Sequence, residues 1–160
     1  MNIFNTSKKL IFSIITVFCA SLFLMGCGKD KSMKDEEIAN IFLEQVFSTD
    51  YENRYTEFLK DQDVDKYYET FSEYVSESCI ENLKNNRTPI KYEKEAASEG
   101  ILYVISDIKL KFDEDGSADF ELLLADKNNK EKDIKKATGQ ISIIDKKVDR
   151  FFLNKLVDIE

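Results

Sequence analysis

The chain has 160 residues, 42% of them hydrophobic and 34% charged, with 31 acidic against 23 basic side chains and no histidine. That length leaves room for one ordinary domain once a targeting segment is set aside. The acidic balance argues against nucleic acid and anionic headgroups as partners, and the lack of histidine removes the commonest general base and metal ligand.

The opening residues fall into three zones. Met1–Lys9 is polar and carries Lys8 and Lys9 without an acid, Leu10–Met25 is apolar apart from small or hydroxylated residues, and Lys29-Asp30-Lys31 returns the chain to water. A basic stretch, an apolar stretch and a small-residue junction, in that order, form a secretory signal. An uncleaved membrane anchor fits less well. Sixteen helical residues reach roughly 24 Å, short of the ~30 Å hydrocarbon core.

Leu24-Met25-Gly26-Cys27 closes the apolar zone. The four residues resemble the lipobox of bacterial prolipoproteins, with Met25 standing where Ala or Ser is usual. The resemblance implies that Cys27 receives a diacylglycerol and that cleavage falls between Gly26 and Cys27. Residues 1–26 are then a lipoprotein signal peptide, 27–32 a lipidated tether, and 33–160 a single extracytoplasmic domain held to the cell membrane. Residues 27–160 keep 21 basic and 31 acidic side chains. Of the three cysteines, Cys19 leaves with the signal and Cys27 is acylated. Cys79 remains as a lone thiol, expected to be a small buried hydrophobe rather than half of a disulfide.

Helical periodicity follows the tether. Ser32 with Asp35, Glu36 and Glu37 offers a cap and a negative first turn, and Ile38, Phe42 and Val46 recur at four-residue spacing. Thr49-Asp50-Tyr51-Glu52 has the form of a capping box and predicts a second helix burying Tyr51, Tyr55, Phe58 and Leu59. A third helix is expected from Asp63 or Asp65, with Val64, Tyr67, Tyr68, Phe71 and Val75 inward. Ser78-Cys79-Ile80-Glu81 predicts a short fourth, and Asn85–Pro89 is expected to end the helical half.

After Gly100 the period drops to two. Ile108, Leu110 and Phe112 form one stripe, Ala118 to Leu124 a second, and Ala137 to Ile143 a third. Phe151, Leu153, Val157 and Ile159 form the last. Turn residues separate the stripes at Asp113–Gly116, Lys127–Lys130 and Asp145–Lys147, which describes an antiparallel meander with one buried face. Ile101, Tyr103 and Ile105 have the opposite parity from Ile108, Leu110 and Phe112. A bulge at Ser106-Asp107 would bring all six to one face; the alternative is a regular strand whose first half is covered on its second face.

Helices followed by a curved four-stranded antiparallel sheet predict an α+β fold with the helices on one sheet face. In element order and in its Phe- and Tyr-rich first helices, residues 33–160 resemble the NTF2-like superfamily, including the VirB8-like domains of conjugation machines. A cystatin-like fold fits the same pattern. The resemblance implies a cone with a pocket between helices and sheet.

Chemistry-bearing motifs are sparse. No Gly-rich phosphate loop or GxSxG occurs, and nothing calls for a cofactor. Asp61-Gln62-Asp63-Val64-Asp65 opens like a calcium loop, but Lys66 and Ser72 stand where that loop needs Gly and Glu. Capping and dipole stabilisation account for the three acids. Six tyrosines between Tyr51 and Tyr92 fall mostly on core stripes. Candidate pocket residues are Tyr103, Ser106 and Lys155, the last interrupting the apolar series of the final strand. A Ser106–Lys155 catalytic pair is not expected, because first and fourth strands of a meander lie roughly 14 Å apart. Two function classes remain. The first is a lipid-anchored binding or assembly module meeting a partner of the envelope or of a conjugation apparatus. The second is an NTF2-like small-molecule hydrolase or isomerase using carboxylate, Tyr and Lys groups. A filled core would favour the first, and a pocket lined by ionisable groups the second.

Overall fold

Three acids against the positive end of a helix dipole start α1, which runs from Asp35 to Phe47. The computed structural model describes residues 33–159. The expected signal peptide, the Gly26–Cys27 junction, the expected lipidation at Cys27 and the tether with Ser32 lie outside the described residues. Six apolar side chains of α1 are buried, Ile38, Ala39, Phe42, Leu43, Val46 and Phe47.

The next segment departs from the predicted capping box. The Thr49 hydroxyl accepts from the Tyr103 amide at 2.8 Å, and the Thr49 amide donates to the Tyr103 carbonyl at 3.0 Å. Thr49 is therefore committed to the sheet and cannot cap. The chain instead makes a π-helical turn, Tyr51–Tyr55, and a short α2, Thr56–Asp61. Leu59, expected inside, is 53% exposed. In α3 (Val64–Glu69) the Asp63 carboxylate caps by accepting from the Lys66 amide at 3.0 Å. Tyr67, Tyr68, Phe71 and Val75 are buried as expected, whereas Val64 is exposed.

Ser76, not Ser78, caps α4 (Glu77–Asn85), its hydroxyl accepting from the Cys79 amide at 3.2 Å. The helical half does not end at Pro89. After a cis Thr88-Pro89 bond the chain forms α5, Ile90–Glu99, closed by Gly100 at φ +69°. Sequence periodicity passed over α5 because its inward positions include a glutamate, Glu93, beside Ile90, Tyr92 and Ala96.

The sheet follows expectation closely. Strands β1 (Tyr103–Phe112), β2 (Ser117–Asp126), β3 (Asn129–Ile144) and β4 (Lys147–Asp158) pair antiparallel in the order β1-β2-β3-β4. Ile105 pairs with Leu124 and Asp107 with Leu123, so Ser106 is the extra residue of a bulge. Ile105, Ile108, Leu110 and Phe112 consequently all pack on the core. Two further bulges lie in β4: Asp149 stands between the pairs Ser142–Arg150 and Ile143–Val148, and Asn154 between Thr138–Lys155 and Gly139–Leu153. The one at Asn154 reverses the parity expected for the end of the chain. Leu156 joins Leu153 against the core, and Lys155 is exposed. Bulges on both edge strands bend the sheet around the helices and blunt its edges.

Four phenylalanines fill the space between α1 and the sheet. Phe42 meets Phe151 edge-on with ring centroids 5.3 Å apart, Phe120 stacks on Phe151 at 5.9 Å, and Phe47 touches both. Gly139, opposite Phe120 in the ladder, makes room for that ring. A Cβ there would lie 2.5 Å from Phe120 Cζ and 2.1 Å from the Phe152 carbonyl oxygen. Residues from Met33 onward form one compact unit. Among the described residues no helix is long and apolar enough to cross a membrane.

Candidate functional site

Glu93 is the most deeply buried charged residue described, with no exposed surface. Its Oε2 accepts from the Asp50 amide at 2.9 Å, and its Oε1 accepts from Arg54 Nε at 2.7 Å and from Arg54 Nη2. Arg54 also donates to the Gln45 carbonyl at 3.2 Å and to the Ser48 carbonyl at 3.0 Å. One guanidinium thus satisfies carbonyls that the end of α1 leaves without helical partners and neutralises a carboxylate from α5. Burial pushes the Glu93 carboxyl above its ordinary pKa, while Arg54 and the Asp50 amide pull it down.

Arg54, but not Glu93, also lines a cleft of about 360 Å³ between the π-turn with α2 and the helix α3. Phe58 and Tyr67 supply aromatic wall, their rings edge-to-face at 5.5 Å. Arg54 stands over the Tyr67 ring at 5.7 Å from its centroid. Carboxylates of Glu57, Asp61, Asp63 and Glu69 surround the opening together with Lys66. Lys66 is matched by Asp61 at 2.8 Å, which lowers the Asp61 pKa and raises that of Lys66 through their hydrogen bond and charge. The Tyr67 hydroxyl is buried and has no hydrogen-bond partner, and desolvation raises its pKa.

A second cluster links side chains of α5 to the sheet. Lys135 is buried, donating to Asp158 at 2.6 Å and paired with Glu95 at 2.8 Å. Its ammonium sits 5.5 Å from the centre of the Tyr103 ring, and the Tyr103 hydroxyl donates to Glu99. Burial alone would lower the Lys135 pKa, but Asp158 and Glu95 together outweigh it and hold the amine protonated. A lysine held so is a strut between α5 and the ends of β3 and β4, not a nucleophile.

The three candidate pocket residues do not converge. Tyr103 belongs to the Lys135 cluster. Ser106 is exposed at the bulge, its hydroxyl donating to Asp133 at 2.5 Å and to the Leu123 carbonyl at 3.2 Å. Lys155 is exposed on the opposite edge strand, paired in the ladder with Thr138. No hydrogen bond joins Ser106 to Lys155, as their strand positions predict. Cys79 is buried, and desolvation pushes its thiol up to about 12. Of the three acids read as a weak calcium signal, Asp63 caps α3, Asp61 holds Lys66 and Asp65 holds Lys84.

Sequence reasoning missed Arg54, Glu93 and Lys135. Arg54 and Glu93 are 39 residues apart, and nothing local to either announces the other. The signal in principle was a charged residue on an apolar helical stripe, Glu93 between Ile90, Tyr92 and Ala96.

No family model matches the chain, and no curated protein is similar to it by sequence. Among solved structures, a de novo designed β-sheet protein determined by solution NMR aligns over 79% of this chain and 88% of its own, at 10% identity and a TM-score of 0.42.

Proposed function

We propose that the chain is a bacterial lipoprotein whose extracytoplasmic domain is a binding or assembly module, held to the cell membrane by diacylglycerol on Cys27. The observation that carries the anchoring is Leu24-Met25-Gly26-Cys27 placed directly after a basic and an apolar stretch. The module reading is supported by the filled aromatic interface between α1 and the sheet, where an NTF2-like enzyme would keep its pocket. The cleft lies instead at the rim, and two of its charged groups, Arg54 and Lys66, are engaged in ion pairs. A partner in the envelope or a conjugation apparatus suits an acidic domain tethered by only a few residues. The helix-then-sheet order supports an NTF2-like or VirB8-like assignment within this reading.

The competing hydrolase or isomerase reading draws on the same cleft, since four carboxylates and a tyrosine line it. It would require one of those groups to be placed against a reacting atom, and the described carboxylate contacts are caps and ion pairs. The test of the anchoring is growth with labelled fatty acid followed by membrane fractionation. Label and membrane partition should both appear in the parent and both vanish in Cys27→Ser. Stable attachment relies on two acyl chains, because one binds only marginally. Label retained in Cys27→Ser would overturn the reading.

A further inference from the structure

The two edges of the sheet are covered unequally. On β4 the Val148 amide donates to the Tyr74 carbonyl at 2.8 Å, and the Val148 carbonyl accepts from the Ser76 amide at 3.0 Å. On β1 only the first residue is covered in this way, by Thr49 on Tyr103, and the bulge at Ser106 interrupts the ladder soon after. The regular stretch from Asp107 to Phe112 pairs with β2 alone. At its end the Asp113 amide donates to the Ser117 carbonyl at 2.8 Å. Bonded and open positions alternate from there, so Ile108, Leu110 and Phe112 turn their backbone N–H and C=O groups outward. Among the described residues, no other segment bonds to those groups.

The side chains of these three residues are only half-buried, whereas Phe120, Leu122 and Ile141 on the neighbouring strands are buried. An open edge beside a half-covered apolar stripe is a template for another strand. Charge selects which strand. Asp107, Lys109 and Lys111 are exposed on the other face of β1. Among the described residues Lys111 takes part in no ion pair, and Asp107 pairs only with Lys109, at 3.6 Å. A second β1 run antiparallel with Lys109 opposite Lys109 sets Asp107 against Lys111 twice and Ile108 against Leu110 twice. Each Lys109 is already met by Glu121 of its own chain at 3.5 Å. A register shift one way sets Lys109 against Lys111, and a shift the other way runs the ladder into the bulge.

We propose that two copies of the chain join through the free half of the β1 edge, antiparallel with Lys109 on the twofold axis, so that the two four-stranded sheets become one. The proposal rests on the assembly-module reading, for which it names the partner, and fails separately from it, since lipid uptake at Cys27 does not involve β1.

The experiment is oxidative cross-linking of the full chain in detergent, read on a non-reducing gel. In the proposed register Lys109 faces its copy in a non-hydrogen-bonded pair, with Cα atoms about 4.5 Å apart, a spacing that a disulfide spans. Lys109→Cys should therefore give a covalent dimer that the parent does not. Asn154→Cys, exposed on the opposite edge strand, should give none. In the Lys109→Cys background, Asp107→Lys and Lys111→Glu should each lower the dimer yield severalfold, because each turns two attractive pairs into repulsive ones. The two changes together restore opposite charges and should restore the yield. All three positions are exposed on the sheet, so the variants keep the core. A Lys109→Cys chain that cross-links no more than the parent, equal cross-linking of Asn154→Cys, single charge reversals without effect, or a double reversal no better than either single would each overturn the proposal.

Discussion

The helix–sheet interface and the rim cleft use aromatic residues to opposite ends. Between α1 and the sheet, Phe42, Phe47, Phe120 and Phe151 pack ring on ring with no polar atom to place. At the rim, Phe58 and Tyr67 stand beside Arg54, Glu93 and a set of carboxylates, and the Tyr67 hydroxyl is left without a partner. The first arrangement maximises apolar burial and tolerates no change in volume. The second gives up packing for charge and open space. The difference teaches that a residue type does not define its role: a ring surrounded by rings fills the core, and a ring beside charged groups walls an open cleft.

The comparison breaks most visibly at Gly139. Gly139→Val would drive its side chain into the Phe120 ring and the Phe152 carbonyl, at positions where even a Cβ lies 2.5 and 2.1 Å away. The expected loss is about 3 kcal/mol or more, read as a lower denaturation midpoint or failure to fold. A Gly139→Val protein as stable as the parent would show that the interface is not filled as described.

Glu93→Ala tests whether the rim has a structural root. It leaves the Arg54 guanidinium, 24% exposed, without its carboxylate and the Asp50 amide without its acceptor. The expected cost is about 3 kcal/mol in chemical denaturation. The double variant Arg54→Met, Glu93→Leu should recover only part of that loss: an apolar pair needs no desolvation, but the Gln45 and Ser48 carbonyls and the Asp50 amide lose their partners.

A smaller effect is read by pH. The Cys79 thiol is pushed up from 9.0 to about 12 in the folded chain. The folded state therefore holds a proton that the unfolded state releases, and stability contributed by Cys79 falls as pH rises through that window. Burial raises Tyr67, Tyr68, Tyr92 and Tyr103 as well, with the same sign. Unfolding midpoints should fall steadily above about pH 9, and alkylation of Cys79 should track unfolding. Reductant should leave the transition unchanged, since Cys79 is a free thiol. Rapid alkylation under native conditions would contradict this account. The smallest effect belongs to Asp61→Asn. Its partner Lys66 is solvent-exposed, so the melting temperature should not move measurably.

The same contrast decides what could be read from the sequence. The sheet is legible because one face is buried, so period-two stripes carry the topology. Its turns also carry readable chemistry: Gly116 at φ +83°, and Asp145 and Lys146 at φ 49° and 63°. The bulge at Ser106 is legible because the flanking stripes disagree in parity. The bulge at Asn154 is not, because Leu153, Leu156 and Val157 offer an apolar side chain in either parity. Capping boxes misled wherever a distant partner claimed the hydroxyl, as Tyr103 claims Thr49. Helix α5 and the cleft were hidden for one reason: Glu93 and Arg54 make sense only once chain segments 39 residues apart have met.

The account's central claim is that this domain is exported and held by lipid at Cys27. The most direct measurement is the intact mass and N-terminal identity of the protein purified from its own membranes. The account predicts that residues 1–26 are missing and that Cys27 is the first residue, carrying the mass of a diacylglycerol. A chain that still begins at Met1, with an unmodified Cys27 thiol, would contradict it.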